Sequence, residues 1–170
     1  MTETTLTRTN QYLTFSLENE HYAVDVAKVR EVLELVPITE VPKTPGFMKG
    51  VINLRGGVVP VLDMRLKFGL HEGERTVDTC IIVMEVDVEG ETIILGAVAD
   101  SVQEVIEIQP EEIEPPPKIG TRLDTEFIEG MARNNDKFLI ILDIDRVFTS
   151  GEITTMKEKM QGELQDSGKK

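Results

Sequence analysis

The sequence predicts an all-β protein made of two similar small barrels packed side by side. Short apolar segments alternate with turn residues along most of the 170 residues, a pattern typical of many short strands. Two segments of the first half recur in the same order in the second half, which indicates an internal duplication. Each half carries about five short strands, enough to curl into a small five-stranded barrel, and two such barrels would share an apolar seam.

The first half opens with a hairpin, because residues 12–17 alternate between apolar and polar, residues 18–20 interrupt, and residues 21–24 resume the pattern. Asp25 is then expected to cap a short helix. The apolar face of that helix would carry Val26, Val29, Val32 and Leu33. A second hairpin is predicted where residues 50–54 and 58–62 flank Arg55-Gly56-Gly57, before Asp63 caps another short helix.

The second half repeats this order. Strands are predicted at residues 80–86 and 92–98 around Glu89-Gly90, a strand or short helix at 102–108, and a last hairpin at 127–132 and 137–142. Thr149-x-x-Glu152 is typical of a capping box. The terminal helix that it would start presents Ile153, Met156, Met160 and Leu164 on one face.

The repeat is visible in two alignments. Residues 29–35 read V-R-E-V-L-E-L and residues 102–108 read V-Q-E-V-I-E-I. Residues 47–68 align without gaps to residues 127–148. The second alignment matches Phe47 with Phe127, Gly50 with Gly130, Leu62-Asp63 with Leu142-Asp143, and Phe68 with Phe148.

We therefore expect one domain at residues 11–150, composed of two barrel subdomains at roughly 11–75 and 76–150. The charged residues 70–76 form the candidate boundary, and strands could be exchanged across it. A polar tail at 1–10 precedes the domain, and a C-terminal helix or tail at 151–170 follows it.

Composition narrows the function. The formal net charge of −13 argues against nucleic acid or an anionic membrane surface as partner, because both require basic patches. The lone cysteine, Cys80, cannot form an internal disulfide, which fits a reducing compartment. With no signal peptide and no membrane-spanning run in the sequence, we expect a cytoplasmic protein.

No catalytic residue, metal ligand or cofactor is predicted. His21 and His71 have no metal-binding spacing, and Cys80 is expected to be a buried strand residue. Asp63 and Asp143 each follow a strand, so a capping role is favoured over metal ligation for both. Two alternatives stay open: an acid–base hydrolase that uses clustered carboxylates, and a small-molecule sensor with a cavity between the barrels.

The strongest candidate site is the segment Gly50-Val-Ile-Asn-Leu-Arg-Gly56. Arg55 is either a solvated turn residue or the anchor of a protein contact, since arginine joins an apolar stem to a planar donor fork. Asn135 replaces Arg55 in the second half, so the fold itself does not require arginine there. The valines of the two V-x-E-V segments are either core or the lining of a groove for an amphipathic helix.

These residues resemble a known family. The strings Phe15-x-Leu17, Lys28-Val29-x-Glu31-Val32, Gly50-Val51-x-Asn53-Leu54-Arg55-Gly56, Val59-Pro60-Val61-x-Asp63 and Gly96-x-x-x-Asp100-x-Val102 are similar to the CheW coupling proteins of chemotaxis. The resemblance covers about residues 11–150. It implies tandem SH3-like barrels and a non-catalytic adaptor that couples the histidine kinase CheA to methyl-accepting chemotaxis receptors.

The resemblance also implies partners and sites. The partners would be the regulatory domain of CheA and the cytoplasmic tip of the receptors, with the protein associated with membrane-bound receptor arrays. The receptor-binding residues would be Val29, Arg55 and Val105, and the kinase-binding residues would be Val26, Glu31, Ile38 and Gly50. Similar couplers serve other pathways such as pili motility, so flagellar chemotaxis is the default expectation.

Overall fold

The computed structural model describes residues 10–44, 46–70, 73, 75–115, 127–134, 136–149 and 151–158. Ten strands run through this part of the chain: β1 Gln11–Leu17, β2 Glu20–Asp25, β3 Val29–Glu34, β4 Met48–Leu54, β5 Gly57–Asp63, β6 Cys80–Val88, β7 Glu91–Ala99, β8 Ser101–Glu107, β9 Ile128–Asn134 and β10 Lys137–Leu142. The helices are α1 Met64–Lys67, α2 Ile144–Val147 and α3 at residues 151–158, with 3-10 turns at Val26–Lys28 and Pro110–Glu112.

The strands form two five-stranded sheets of the same design. One sheet has the order β3-β6-β7-β5-β4 and the other has the order β8-β1-β2-β10-β9. Each strand of the first half has a counterpart five strands later, and exchanging counterparts converts one sheet order into the other. The strand directions agree as well, because the parallel pairs among the described residues are β5 with β7 and its counterpart, β10 with β2. The predicted all-β duplication is therefore confirmed.

Each barrel is completed by a hairpin from the other half of the chain. Strand β3 pairs with β6 and β5 pairs with β7, whereas β8 pairs with β1 and β10 pairs with β2. Strands β4 and β9 join these sheets through their own hairpin partners, β5 and β10. We name the sheet that contains β3 barrel 1 and the sheet that contains β8 barrel 2. Each barrel thus depends on backbone hydrogen bonds between residues that are distant in sequence.

A single backbone bridge closes each sheet into a barrel. After β3, the chain crosses to the opposite edge, where Thr39 and Val51 exchange hydrogen bonds of 2.9 and 2.8 Å. After β8, Glu114 and Met131 make the corresponding pair, with both bonds at 2.8 Å. A sheet whose two edges are joined by one continuous segment leaves little edge strand exposed.

Gly50 is required by this closure. Its φ is +146°, and a Cβ atom built there would lie 2.1 Å from the Thr39 carbonyl oxygen and 2.9 Å from Ile38 Cγ2. Gly130, its counterpart, has the Glu114 carbonyl oxygen 2.8 Å from the position of a Cβ. The matched glycines of the repeat therefore exist because a second backbone passes directly over them.

The hydrophobic core has three parts. Barrel 1 encloses Ile52, Val59, Val61, Ile81 and Val83, and barrel 2 encloses Tyr12, Ala23, Ile108, Ala132, Leu139 and Ile141. The largest cluster lies between the barrels; its members include Leu13, Phe15, Leu17, Tyr22, Val24, Leu62, Ile82, Met84, Val86 and Leu95. Successive residues of β6 alternate between the barrel interior and this shared layer, so the strand reads as a continuous apolar run.

Matched phenylalanines meet where the two halves join. The rings of Phe47 and Phe148 are 5.7 Å apart, and the rings of Phe127 and Phe68 are 5.8 Å apart. The Lys67 Nζ lies 5.3 Å from the centroids of both Phe47 and Phe127, a cation–π arrangement. The duplication therefore places the same pair of aromatic contacts on both sides of one lysine.

Helix α3 is fastened to this centre. The predicted capping box is confirmed, because the Thr149 N–H donates to Glu152 Oε1 at 2.8 Å and the Glu152 N–H donates to Thr149 Oγ1 at 3.1 Å. Lys67 also donates to both oxygens of Glu152, at 2.8 and 3.0 Å. Ile153 and Met156 enter the shared core, whereas Met160 and Leu164 lie outside the described residues.

Two local predictions need correction. Asp25 caps only a 3-10 turn, and Val29 and Val32 belong to strand β3, because β-branched residues in alternation pair with β6 more favourably than they extend a helix. Asp63 caps α1 through the Arg65 N–H, but the Asp143 side chain makes no capping hydrogen bond. It lies instead 3.6 Å from Arg146.

The exchange of hairpins predicts that neither half of the chain folds alone. Residues 1–75 contain β1 and β2 without β8 and β10, and residues 76–170 contain β6 and β7 without β3 and β5. Each fragment should lack dispersed amide resonances in NMR spectra, and mixing the two should restore the native spectrum. A fragment with native-like dispersion on its own would contradict the exchanged arrangement.

The closure of barrel 1 predicts a large cost for Gly50→Ala. We expect thermal or urea unfolding to show a loss of about 2 kcal/mol or more, since the Cβ must displace the Thr39 backbone. Gly46→Ala is the matched control, because a Cβ at Gly46 meets nothing within 4 Å, and it should change stability by less than about 1 kcal/mol. Equal effects of the two variants would be inconsistent with the close approach.

The Lys67–Glu152 pair predicts pH-dependent stability. Burial alone raises the pKa of Glu152, but the hydrogen bonds from Lys67 and Thr149 outweigh it and hold the pKa below the usual 4.5. The stabilisation is therefore fully present above pH 4.5 and is lost as the pH falls through the lower folded value. Glu152→Gln should lower stability by about 1 kcal/mol at pH 7, with the difference from wild type shrinking in acid.

The exposed Glu158, on the same helix, supplies the control for this comparison. Glu158→Gln should leave the thermal midpoint unchanged at both pH values. A Glu152→Gln difference that persists undiminished at pH 2.5 would show that charge on Glu152 is not the source of the stabilisation.

Candidate protein-binding surface

Arg55 stands at the tip of the β4–β5 hairpin. Leu54 pairs with Gly57 across a two-residue turn whose central residues, Arg55 and Gly56, have φ values of 52° and 83°. Such turns match the twist of the strands and usually carry Asn or Gly at the first central position. Glu18 and Glu89 adopt the same conformation in other hairpins, so the backbone alone does not explain an arginine here.

The Arg55 guanidinium is held by Glu31 on the neighbouring edge strand β3. Both guanidinium Nη atoms donate to the carboxylate, one of them at 2.9 Å. The hydrogen bond from Arg55 lowers the pKa of Glu31, and the Glu31 carboxylate raises the pKa of Arg55. Because the Arg55 side chain is 72% exposed and that of Glu31 is 23% exposed, the pair fixes a guanidinium on the surface with its face open to a partner.

The two predicted binding sets meet in this ion pair. Arg55 was assigned to receptor binding and Glu31 to kinase binding, yet they form one bidentate contact. No local sequence signal indicates the pairing, because the two residues are 24 positions apart, with Glu31 on β3 and Arg55 in the β4–β5 turn.

Ile38 and Gly50, both assigned to kinase binding, are also in contact. Ile38 lies half-buried on the segment that closes barrel 1, and its Cγ2 faces the Cα of Gly50. A shallow cavity of about 310 Å³ adjoins Ile38 and is shared with Glu40, Lys49, Leu66 and Arg75. This end of barrel 1 therefore places an apolar side chain beside both acidic and basic side chains.

Val26 and Val29 lie on the link between the barrels. Val26 is half-buried in the 3-10 turn, and Val29, the first residue of β3, packs against the shared core opposite Met84. The turn is anchored by Lys28, whose Nζ lies 2.8 Å from Asp145 and 3.2 Å from Asp87. These ion pairs, between residues remote in sequence, were not foreseen from the sequence.

Val105 lies on barrel 2, away from the hairpin of Arg55. It belongs to edge strand β8, is 48% exposed, and is the repeat counterpart of Val32, which is 43% exposed on β3. Each barrel thus presents one exposed valine at the same place on its edge strand. The structure brings together Arg55 with Glu31 and Ile38 with Gly50, but it shows no contact between Val105 and either pair.

The described residues offer little reactive chemistry. No group of three His, Cys, Asp or Glu side chains among them is placed to hold a metal ion. Burial raises the pKa of the Cys80 thiol, with smaller contributions from Asp100 and Asp78, so the thiol is a poor nucleophile. No helix in this part of the chain has the length and apolar character needed to cross a membrane.

Comparison with known proteins agrees with this geometry. Residues 11–152 match the family model of the CheW-like domain. The chain is 35% identical over 143 residues to the chemotaxis protein CheW of Klebsiella aerogenes, covering 84% of each chain. It is 34% identical over 137 residues to that of Bacillus subtilis, covering 79% of this chain and 84% of that protein.

A solved structure shares the fold. The crystal structure of the scaffolding protein TtCheW from Thermoanaerobacter tengcongensis superposes with a TM-score of 0.74 at 39% identity, covering 84% of this chain and 90% of that one. The family model spans both barrels and extends into helix α3. The chain therefore belongs to the CheW-like domain family.

Proposed function

We propose that this protein is a chemotaxis adaptor that couples the histidine kinase CheA to methyl-accepting chemoreceptors. Family membership supports an adaptor role, since relatives carry the names chemotaxis protein CheW and scaffolding protein. The observation that carries the proposal is the Arg55–Glu31 pair, a fixed and exposed guanidinium on the most family-specific segment of the sequence. The protein would act in the cytoplasm beside membrane-bound receptor arrays.

The regulatory domain of CheA would bind a surface of barrel 1 that includes Val26, Glu31, Ile38 and Gly50. The receptor tip would bind a surface that includes Val29, Arg55 and Val105. These assignments rest on the resemblance to the family and on the exposure of Arg55 and Val105. Because Arg55 and Glu31 form an ion pair, the two partners would bind neighbouring parts of one surface.

Rigidity explains how such a protein could transmit a signal without chemistry. The two barrels share one apolar layer, and the Lys28 ion pairs and the aromatic contacts around Lys67 tie them further. A partner held on one surface is therefore fixed relative to a partner held on another. In an array of many copies, weak individual contacts would gain strength through effective concentration.

Arg55→Glu tests the proposed surface. We expect receptor-tip binding to weaken by about tenfold, because the substitution removes the guanidinium and sets a carboxylate against Glu31. The thermal midpoint should stay near that of wild type, since Arg55 is exposed and the repeat has Asn135 at the aligned position of the sequence. Titration calorimetry against a purified receptor-tip fragment and, separately, the CheA regulatory domain measures both interactions.

Two further variants sharpen this test. Arg30→Glu is the matched control, because Arg30 is an exposed arginine of β3 that pairs with Glu85 outside the hairpin, and both affinities should stay within about twofold of wild type. The double variant Arg55→Glu/Glu31→Arg restores an ion pair in reversed orientation. Recovery of binding in the double variant would show that only the pair matters, and unaltered binding by Arg55→Glu would refute this surface.

A further inference from the structure

Glu104 occupies in barrel 2 the place that Glu31 occupies in barrel 1. Each glutamate lies two residues after the first valine of its V-x-E-V segment, on an edge strand. Each also lies at a bulge, because the β3–β6 register shifts between Val29 and Glu31 and the β1–β8 register shifts opposite Glu104. The duplication has therefore produced two equivalent carboxylates at equivalent barrel mouths.

The surroundings of the two carboxylates differ. Arg55 covers Glu31, whereas the described residues give the Glu104 carboxylate neither a hydrogen bond nor an ion pair. Asn135 stands in the place of Arg55 in the aligned sequence, outside the described residues. Barrel 2 thus keeps the acceptor of this ion pair and lacks its donor.

A cleft of about 130 Å³ opens beside Glu104, at the mouth of barrel 2. It is lined by Thr14, His21, Gln103, Glu104, Asn134, Lys137 and Leu139. The Thr14 hydroxyl bonds the Glu104 backbone, 2.8 Å from its carbonyl oxygen and 3.1 Å from its nitrogen, which fixes the strand at this point. Leu139 also lines the cleft, but its side chain is buried in the core of barrel 2.

We propose that this cleft binds the arginine side chain of a partner protein. Glu104 would accept two guanidinium hydrogen bonds, as Glu31 does from Arg55. The Gln103 amide nitrogen donates to Ser101 at 2.7 Å, which leaves the amide oxygen as an additional acceptor. The net charge of −13 also favours the approach of a basic group over an acidic one.

Lys137 provides a way to distinguish the binding of an arginine from the binding of an anion. It lines the same cleft, and no ion pair joins it to Glu104 among the described residues. Its ammonium opposes a guanidinium and would favour a carboxylate. Removing Lys137 therefore strengthens the binding of an arginine and weakens the binding of an acidic group, and the sign of the effect identifies the occupant.

The experiment is an NMR titration of the full-length, 15N-labelled protein with the blocked tripeptide Gly-Arg-Gly. Saturable shifts should cluster at the amides of Thr14, Glu104, Asn134 and Leu139, with millimolar affinity for this single contact. Blocked Gly-Lys-Gly should bind more weakly, because an ammonium cannot make the bidentate contact. Absence of saturation up to about 100 mM Gly-Arg-Gly would overturn the proposal.

Three variants complete the test, and their thermal midpoints establish that each is folded. Glu104→Gln should weaken Gly-Arg-Gly binding by about tenfold, and Lys137→Met should strengthen it by about threefold. Asn135→Arg gives the second repeat an arginine at the position that aligns with Arg55. This arginine should compete with the peptide for Glu104 and so prevent Gly-Arg-Gly binding. Binding of blocked Gly-Glu-Gly that is lost in Lys137→Met, or Gly-Arg-Gly binding insensitive to Glu104→Gln, would refute the assignment. The outcome is independent of CheA and receptor binding, which the Arg55 variants address.

Discussion

The apolar layer between the two barrels is the contact on which the rest of the structure depends. It is built mainly from the outward faces of the hairpins β1–β2 and β6–β7, each of which also fills the interior of a barrel. A small barrel on its own encloses too little apolar surface to offset the entropy of ordering its chain. Because the hairpins are exchanged, each hairpin contributes to a barrel interior and to the shared layer, and the two halves together bury more apolar surface than either would alone.

The same layer explains why charged groups can be partly buried in this protein. Lys67 lies between the rings of Phe47 and Phe127 and is neutralised by Glu152, so its charge is desolvated but compensated. The lysine has no counterpart in the repeat, because Val147 occupies the corresponding position in α2. One lysine is sufficient because it lies between the two halves and contacts an aromatic ring from each. Its ion pair with Glu152 also holds helix α3 against the shared core.

Duplication followed by divergence accounts for the surfaces. Closure of each barrel constrains the glycine pair Gly50 and Gly130 and the bridges above them, and both halves have retained these features. The barrel mouths carry no such constraint. Barrel 1 has an arginine bonded to its glutamate, and barrel 2 has a cleft beside the equivalent glutamate. The repeats therefore agree at the glycines that closure requires and differ in the groups beside their equivalent glutamates.

The sequence by itself determined the local structure and the duplication. Hairpins are short-range features, so alternation of apolar residues and turn residues such as Arg55-Gly56 and Glu89-Gly90 sufficed to place the strands. The capping box of Thr149 and Glu152 was equally local. The segment around Asp25 was misread as a helix because the valine spacing fits both periods over so few residues, and only pairing with β6 selected the strand.

Only the tertiary structure decided which strands share a barrel and which charges meet. The barrels could have been built from contiguous halves or with exchanged hairpins. Both arrangements are compatible with the same alternation of apolar residues, because this alternation does not specify the partner strand. The Arg55–Glu31 contact and the Lys28 contacts with Asp87 and Asp145 join residues from 24 to 117 positions apart. Such contacts follow from the path of the whole chain, so a pattern within one segment cannot contain them.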